Sequence, residues 1–188
     1  MADAEPKEAI IVELKAKVKS LKPFGEKLRS LGAEYVGTFR QIDTYFEVPQ
    51  GRLKIRETEG KDEELLVYYE RPDVQDIKQS QVFISDLPKS RFMKQFLKNV
   101  LRTKTIVDKQ RTIYRFRGTQ IHLDKVQGLG TYVEFEKPAE NTAEDTKKAR
   151  EDLENLMQTL GLRAENLQKG SYSDLLTQQT TQLKSQNQ

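Results

Sequence analysis

Apolar and charged residues alternate strictly in two segments at opposite ends of this chain. Val12, Leu14 and Ala16 alternate with Glu13, Lys15 and Lys17, and Val133 and Phe135 alternate with Glu134 and Glu136. A period of two is that of a β-strand whose faces meet unlike surroundings. Arg52-Leu53-Lys54-Ile55-Arg56 repeats the pattern with three cations on one face. Such strands either form an open sheet with a solvated charged face or close into a barrel with the charged face inward. The recurrence of the stripes on several strands, with glutamates on both terminal ones, favours the enclosed arrangement.

Strand-like segments fall near residues 10–18, 34–47, 52–58, 64–70, 79–85, 103–117, 119–126 and 131–137, punctuated by Gly51, Gly118 and Gly130. Eight strands in a chain of 188 residues read as one barrel or sandwich. Three amphipathic helices accompany them. The first carries Leu21, Phe24, Leu28 and Leu31 and ends at Gly32. The second, in 89–101, carries Phe92, Phe96, Leu97 and Val100. The third, from about Thr142 to Leu160, carries Ala149, Leu153, Leu156, Met157 and Leu160. Each is expected to cover apolar surface. The organisation expected is a flexible N-terminus over 1–8, one domain over 9–176, and a disordered Gln/Thr/Ser/Lys tail over 177–188.

Charged residues make up 32% of the chain and hydrophobic ones 36%, so charge must be displayed or enclosed. There is no cysteine, which excludes disulfides, thiolate zinc sites and a cysteine nucleophile. The net charge of +3 is dispersed, without the basic run of a nucleic-acid arm. No signal-peptide core and no stretch of ~18 apolar residues is present. A cytoplasmic protein with neither nucleic-acid nor membrane partners is expected.

On the inward parity of a closed barrel the cations are Lys15, Lys17, Arg52, Lys54, Arg56, Lys109, Arg111, Arg115 and Arg117. The anions are Glu13, Asp43, Asp124, Glu134 and Glu136. Nine against five leaves a positive surplus that buried surroundings penalise. A multivalent anion held by Arg and Lys would balance it, bridged by a divalent ion on the carboxylates. That combination describes a metal–triphosphate complex.

The ordered set of motifs resembles the CYTH superfamily, the triphosphate tunnel metalloenzymes. It comprises Ile11-x-Glu13-x-Lys15, Gln41-Ile42-Asp43-Thr44-Tyr45-Phe46, Arg52-Leu53-Lys54-Ile55-Arg56-Glu57, Leu66-Val67-Tyr68-Tyr69-Glu70-Arg71-Pro72-Asp73, Lys109-Gln110-Arg111 and Ile121-His122-Leu123-Asp124. It closes with Gly128 to Glu136 and Ser171-Tyr172-Ser173-Asp174. Within the superfamily it is most similar to the class IV adenylyl cyclase-like branch. The resemblance implies an α+β, mainly β fold: a closed eight-stranded antiparallel barrel with a polar, charged interior and helices outside. It implies a triphosphate-containing small molecule as partner, Mg2+ or Mn2+ as cofactor, and either hydrolysis of the triphosphate or cyclisation of ATP. Hydrolysis, of inorganic tripolyphosphate or a nucleoside triphosphate, demands less of the site. A non-catalytic polyphosphate binder is the third reading, because Ile11 stands where the family signature has its first glutamate.

On this resemblance the metal ligands expected are Glu13, Glu134 and Glu136. Phosphate falls to Arg52, Lys54, Arg56, Lys109 and Arg111, and catalytic roles to Lys15, Lys17 and Asp124. Lys54 holds the place of a common arginine, keeping charge without a bidentate fork. His122, the single histidine, reads as a polar lining residue rather than a general base. Tyr172 and Asp174 read as a plug for one barrel end.

Overall fold

The computed structural model describes residues 7–88 and 91–186. Eight strands and four α-helices follow the chain: β1 (Lys7–Val18), α1 (Lys22–Ser30), β2 (Glu34–Phe46), β3 (Arg52–Thr58), β4 (Glu63–Glu70), β5 (Lys78–Pro88), α2 (Arg91–Val100), β6 (Thr103–Phe116), β7 (Thr119–Val126), β8 (Gly130–Ala139), α3 (Ala143–Leu160) and α4 (Tyr172–Gln186). All pairings are antiparallel and the sheet closes in the order β1-β5-β4-β3-β2-β6-β7-β8. Closure follows from β1, which pairs β5 along one edge and β8 along the other. With no free edge, every strand has one face inside and one outside.

The apolar faces of β1, β7 and β8 point outward. Val12, Leu14 and Ala16 of β1, Ile121 of β7, and Val133 and Phe135 of β8 pack beneath Leu28 of α1 and Leu153, Leu156 and Leu160 of α3. The main hydrophobic core therefore lies between barrel and helices, and the interior holds the charges beside a smaller apolar cluster that includes Tyr45, Val67, Tyr69 and Val107. The α3 helix starts where the Thr142 hydroxyl accepts from the Asp145 amide, 3.2 Å, with Glu144 and Asp145 in its first turn. It stops at Gly161, whose φ of 75° suits glycine. No helix of the described residues is long and apolar enough to cross a membrane.

Three expectations are corrected. The stripe of α2 is not buried: Phe92, Phe96 and Val100 stay exposed. A run rich in apolar residues on two sides of a helix can present only one of them to the barrel, and here Met93, Leu97 and Leu101 are the more covered side. The 177–188 tail is not irregular, since α4 continues to Gln186. Its start is fixed by a reciprocal cap. The Asp174 amide donates to the Ser171 hydroxyl, 3.2 Å, and the Ser171 amide donates to the Asp174 carboxylate, 3.0 Å. Polar composition forbids a packed core, not a solvated helix propagated from a cap. The last two residues lie outside the described ones. At the other end, Lys7 and Glu8 belong to β1, opposite Ile84 and Phe83, while residues 1–6 of the expected flexible segment lie outside the described residues.

Candidate functional site

The barrel encloses a cavity of about 220 Å³, lined by the cations Lys15, Lys54, Arg56, Arg71, Lys109 and Arg111 and the carboxylates Glu13, Asp43, Glu134 and Glu136. Register puts them there. Each sits on the parity opposite the outward apolar residues of its strand, or, for Arg71, continues the inward series Leu65, Val67, Tyr69 beyond the end of β4.

Two carboxylates organise the cations. Asp43, 1% exposed, accepts from Lys54 at 3.1 Å, Lys109 at 2.7 Å and Arg56 through both forks at 2.7 and 2.8 Å. Burial works to raise its pKa, but the Arg56, Lys109 and Lys54 charges outweigh burial and hold it well below the carboxylate range. The lysines bear the cost. Burial pushes Lys109 down to about 7 against the pull of Asp43, and pushes Lys54 down to about 8 with the help of neighbouring Arg56.

Glu134 organises the second group. Lys15 lies 2.8 Å from one oxygen, and Arg111 donates to the other. Burial would raise the Glu134 pKa; Lys15 and then Arg111 keep it well below its ordinary value. Arg111 is gripped from behind by Asp124, 2.8 and 2.6 Å, and Asp124 also accepts from the Tyr172 hydroxyl at 2.8 Å. The Tyr172 ring faces Lys15 Nζ at 3.9 Å, so α4 supplies a floor to this part of the cavity.

The expected site residues are therefore divided. Glu13, Lys15, Lys54, Arg56, Lys109, Arg111, Glu134 and Glu136 converge on the cavity. Asp124 is completely buried behind Arg111 and does not line it. Arg52 lies instead in an open depression of about 950 Å³ that shares Arg71 with the cavity, and is bonded there to Asp73 and Asp174. Lys17 is exposed at the end of β1, with Nζ 5.8 Å from the Tyr132 ring centre. Arg115 and Arg117 are exposed too. The reason is common to all three. They sit at strand ends, where inward parity aims past the rim.

Arg71 stands among the family motifs of the sequence but has no role assigned there. It contacts Glu13 through one terminal nitrogen, while its Nε and other terminal nitrogen are buried with no partner. Burial lowers its pKa despite the surrounding carboxylates. Lys78, also missed, fastens the chain outside the cavity, donating to the carbonyls of Gln168 and Lys169 at 2.8 Å each. An apolar wall was missed as well: Ile11, Leu65, Val67, Val82 and Ile84 line the cavity beside the charges. Inward parity of β4 and β5 carried that signal.

Among the described residues, His122, Glu134 and Glu136 form a group able to hold a metal ion, with ligand atoms all within 4.8 Å of one another. Carboxylate oxygens of this kind fit a hard divalent cation.

A family model described as the CYTH domain matches residues 9–172. A Methanocaldococcus jannaschii protein whose name proposes adenylate cyclase activity is 28% identical over 177 residues, 88% of this chain and 98% of the relative. A solved Pyrococcus horikoshii structure superposes with a TM-score of 0.78 at 21% identity, covering 88% of this chain and 98% of that one. A Hippeastrum structure superposes with a TM-score of 0.61 at 15% identity, covering 92% and 96%; that protein is described as an adenylyl cyclase candidate with dominant triphosphatase activity. At these identities the two structures speak for the fold.

Proposed function

The chain belongs to the CYTH family, and from that premise we propose that its cavity binds the triphosphate group of a small molecule and hydrolyses it with a divalent metal. The observation that carries this reading is the pair of buried, unpartnered guanidinium nitrogens of Arg71 at a cavity lined by six cations and four carboxylates. A buried donor without an acceptor costs about 1–3 kcal/mol or more when charged, and phosphate oxygens would remove that cost bidentately.

Lys54, Arg56, Lys109, Arg111 and Arg71 are the phosphate-binding set, with Arg52 at the entrance. Positioning and charge neutralisation by such groups account for most phosphoryl-transfer catalysis. Asp124 acts from behind by fixing the Arg111 fork. Lys15 holds Glu134 in place, and Lys17, outside the cavity, drops from the catalytic set. Mg2+ or Mn2+ would be held by Glu134 and Glu136, with Glu13 facing Glu136 across the β1–β8 pair. When bound, the ion would neutralise charge on the phosphate oxygens.

One observation favours a second reading. The apolar wall of Ile11, Leu65, Val67, Val82 and Ile84 gives an organic group a place that inorganic tripolyphosphate does not use. It suits a nucleoside triphosphate and keeps adenylyl cyclase chemistry open, as does the name of the archaeal relative. Product analysis separates the readings. Purified protein with tripolyphosphate or ATP, each with Mg2+, Mn2+ or EDTA, should release orthophosphate only with metal, and Glu134→Gln or Glu136→Gln should abolish it. Cyclic AMP with pyrophosphate would establish the cyclase instead. Tight binding without turnover of either would mark a dedicated binder.

A further inference from the structure

The β7–β8–β1 register sets side chains of the inward parity in two rows. His122 lies opposite Glu134 and Gln120 opposite Glu136 on one flank of β8. On the other flank Lys15 lies opposite Glu134 and Glu13 opposite Glu136. His122 is only 3% exposed. Its Nε2 meets Gln120 Oε1 at 3.4 Å, so with that amide as oriented Nε2 is the donor, and in the neutral ring Nδ1 presents a lone pair. Nδ1 has no hydrogen-bond partner. It points between Glu134 Oε2, 3.8 Å away, and Glu136 Oε1, 3.6 Å away.

Three acceptor atoms thus converge, and of these only Glu134 Oε2 already has a donor, Arg111. Both separations are too long for hydrogen bonds. Atoms that each lie about 2.1 Å from one ion are themselves roughly 3 to 4 Å apart, as both distances from Nδ1 are, and the three atoms all lie within 4.8 Å of one another. Gln120 takes the outer role usual around a metal-bound imidazole, accepting from the ring nitrogen that does not face the ion. Glu134 is already braced by Lys15 and Arg111 and keeps a lone pair to spare on Oε2. Glu136, 36% exposed at its side chain, leaves the place open to an entering ion. On β1, Ile11 contributes no carboxylate and Glu13 is engaged by Arg71.

We propose that His122 is a metal ligand together with Glu134 and Glu136, and that this nitrogen turns the site from Mg2+ towards Mn2+ and the other first-row divalent ions. The inference rests on the reading of the cavity as a metal–triphosphate site. Imidazole suits Fe2+, Ni2+, Cu2+ and Zn2+ and serves Mg2+ poorly. Mn2+, the weakest of the first-row series and at home with oxygen donors, takes a mixed nitrogen and oxygen set more readily than Mg2+ does. The replacement of one β1 carboxylate by a β7 imidazole is then a change of metal preference rather than a loss of the metal.

The chain has a single histidine, so pulsed electron paramagnetic resonance on tag-free, Mn2+-loaded protein tests the ligand without reference to turnover. Coupling to one imidazole nitrogen is expected in the native protein and should vanish in His122→Gln. In that variant Mn2+ affinity should fall about ten- to hundredfold, with Mg2+ affinity changed far less. Mn2+ binding that Glu134→Gln abolishes, yet with no nitrogen coupling in the native protein, would overturn the histidine ligand and leave the carboxylate site standing. It would leave His122 as a charged partner of the two glutamates. Failure to bind Mn2+ at all would overturn both the ligand and the metal reading beneath it.

Discussion

Asp43 carries three cations on one buried carboxylate, and its removal tests how the cavity balances without a ligand. Breaking a buried pair by deleting one partner typically costs ~3–5 kcal/mol. Asp43→Asn should destabilise the ligand-free protein by about that amount in chemical denaturation, and tripolyphosphate should restore part of it. Lys109 makes a pH prediction. Burial holds its pKa near 7, against an ordinary lysine value of ~10.4. The unfolded chain thus binds more protons than the folded one between these values, and this residue's contribution makes stability rise with pH across that window. A bound polyanion favours the charged form, so binding should take up a proton above pH 7. Affinity for tripolyphosphate should then weaken from pH 7.5 to 9. Calorimetry in buffers of different ionisation heat reads that uptake, and Lys109→Met should lose most of it. Lys54, held near 8, acts in the same direction. Proton release at pH 8 would contradict the assignment.

At the scale of elements, the strands were legible because a residue between cavity and core must alternate. The expected limits of 52–58 and 119–126 coincide with β3 and β7. Alternation says nothing about where a strand rises past the rim, so Lys17, Arg115 and Arg117 were placed inside although they are exposed. Nor does it say which side of α2 meets the barrel, or that a polar tail would propagate from the Ser171–Asp174 cap. These features carry stability predictions. Leu153, fully buried between α3 and the barrel, should cost ~2–5 kcal/mol as Leu153→Ala. Phe96→Ser on the exposed side of α2 should stay within about 0.5 kcal/mol. Deleting residues 178–188 should shift Tm by less than about 2 °C, because the contacts of α4 with the barrel come from its first turns, through Tyr172, Asp174, Leu175 and Leu176. A larger fall would show that the distal turns of α4 are packed.

For the whole molecule, closure makes charge useful. An open sheet would have solvated the same stripes; the barrel gathers side chains from distant parts of the chain into one enclosed volume and covers its outside with α1 and α3. The charged parity of β1, β3, β6 and β8 made that interior readable. Arg71 was harder to see because it lies past the last residue of β4, and His122 because its meaning depends on the opposite strand. An interior with more cations than carboxylates, one of them with two buried nitrogens unpartnered, is a structure completed by an anion.

The direct test of that claim is the melting temperature of native protein and Arg71→Met with and without tripolyphosphate, in EDTA so that no metal contributes. The native protein should be raised by several degrees, and the variant should lose most of that shift while its ligand-free Tm changes little. No shift in the native protein, or an equal shift in both, would contradict a triphosphate site built on the interior cations.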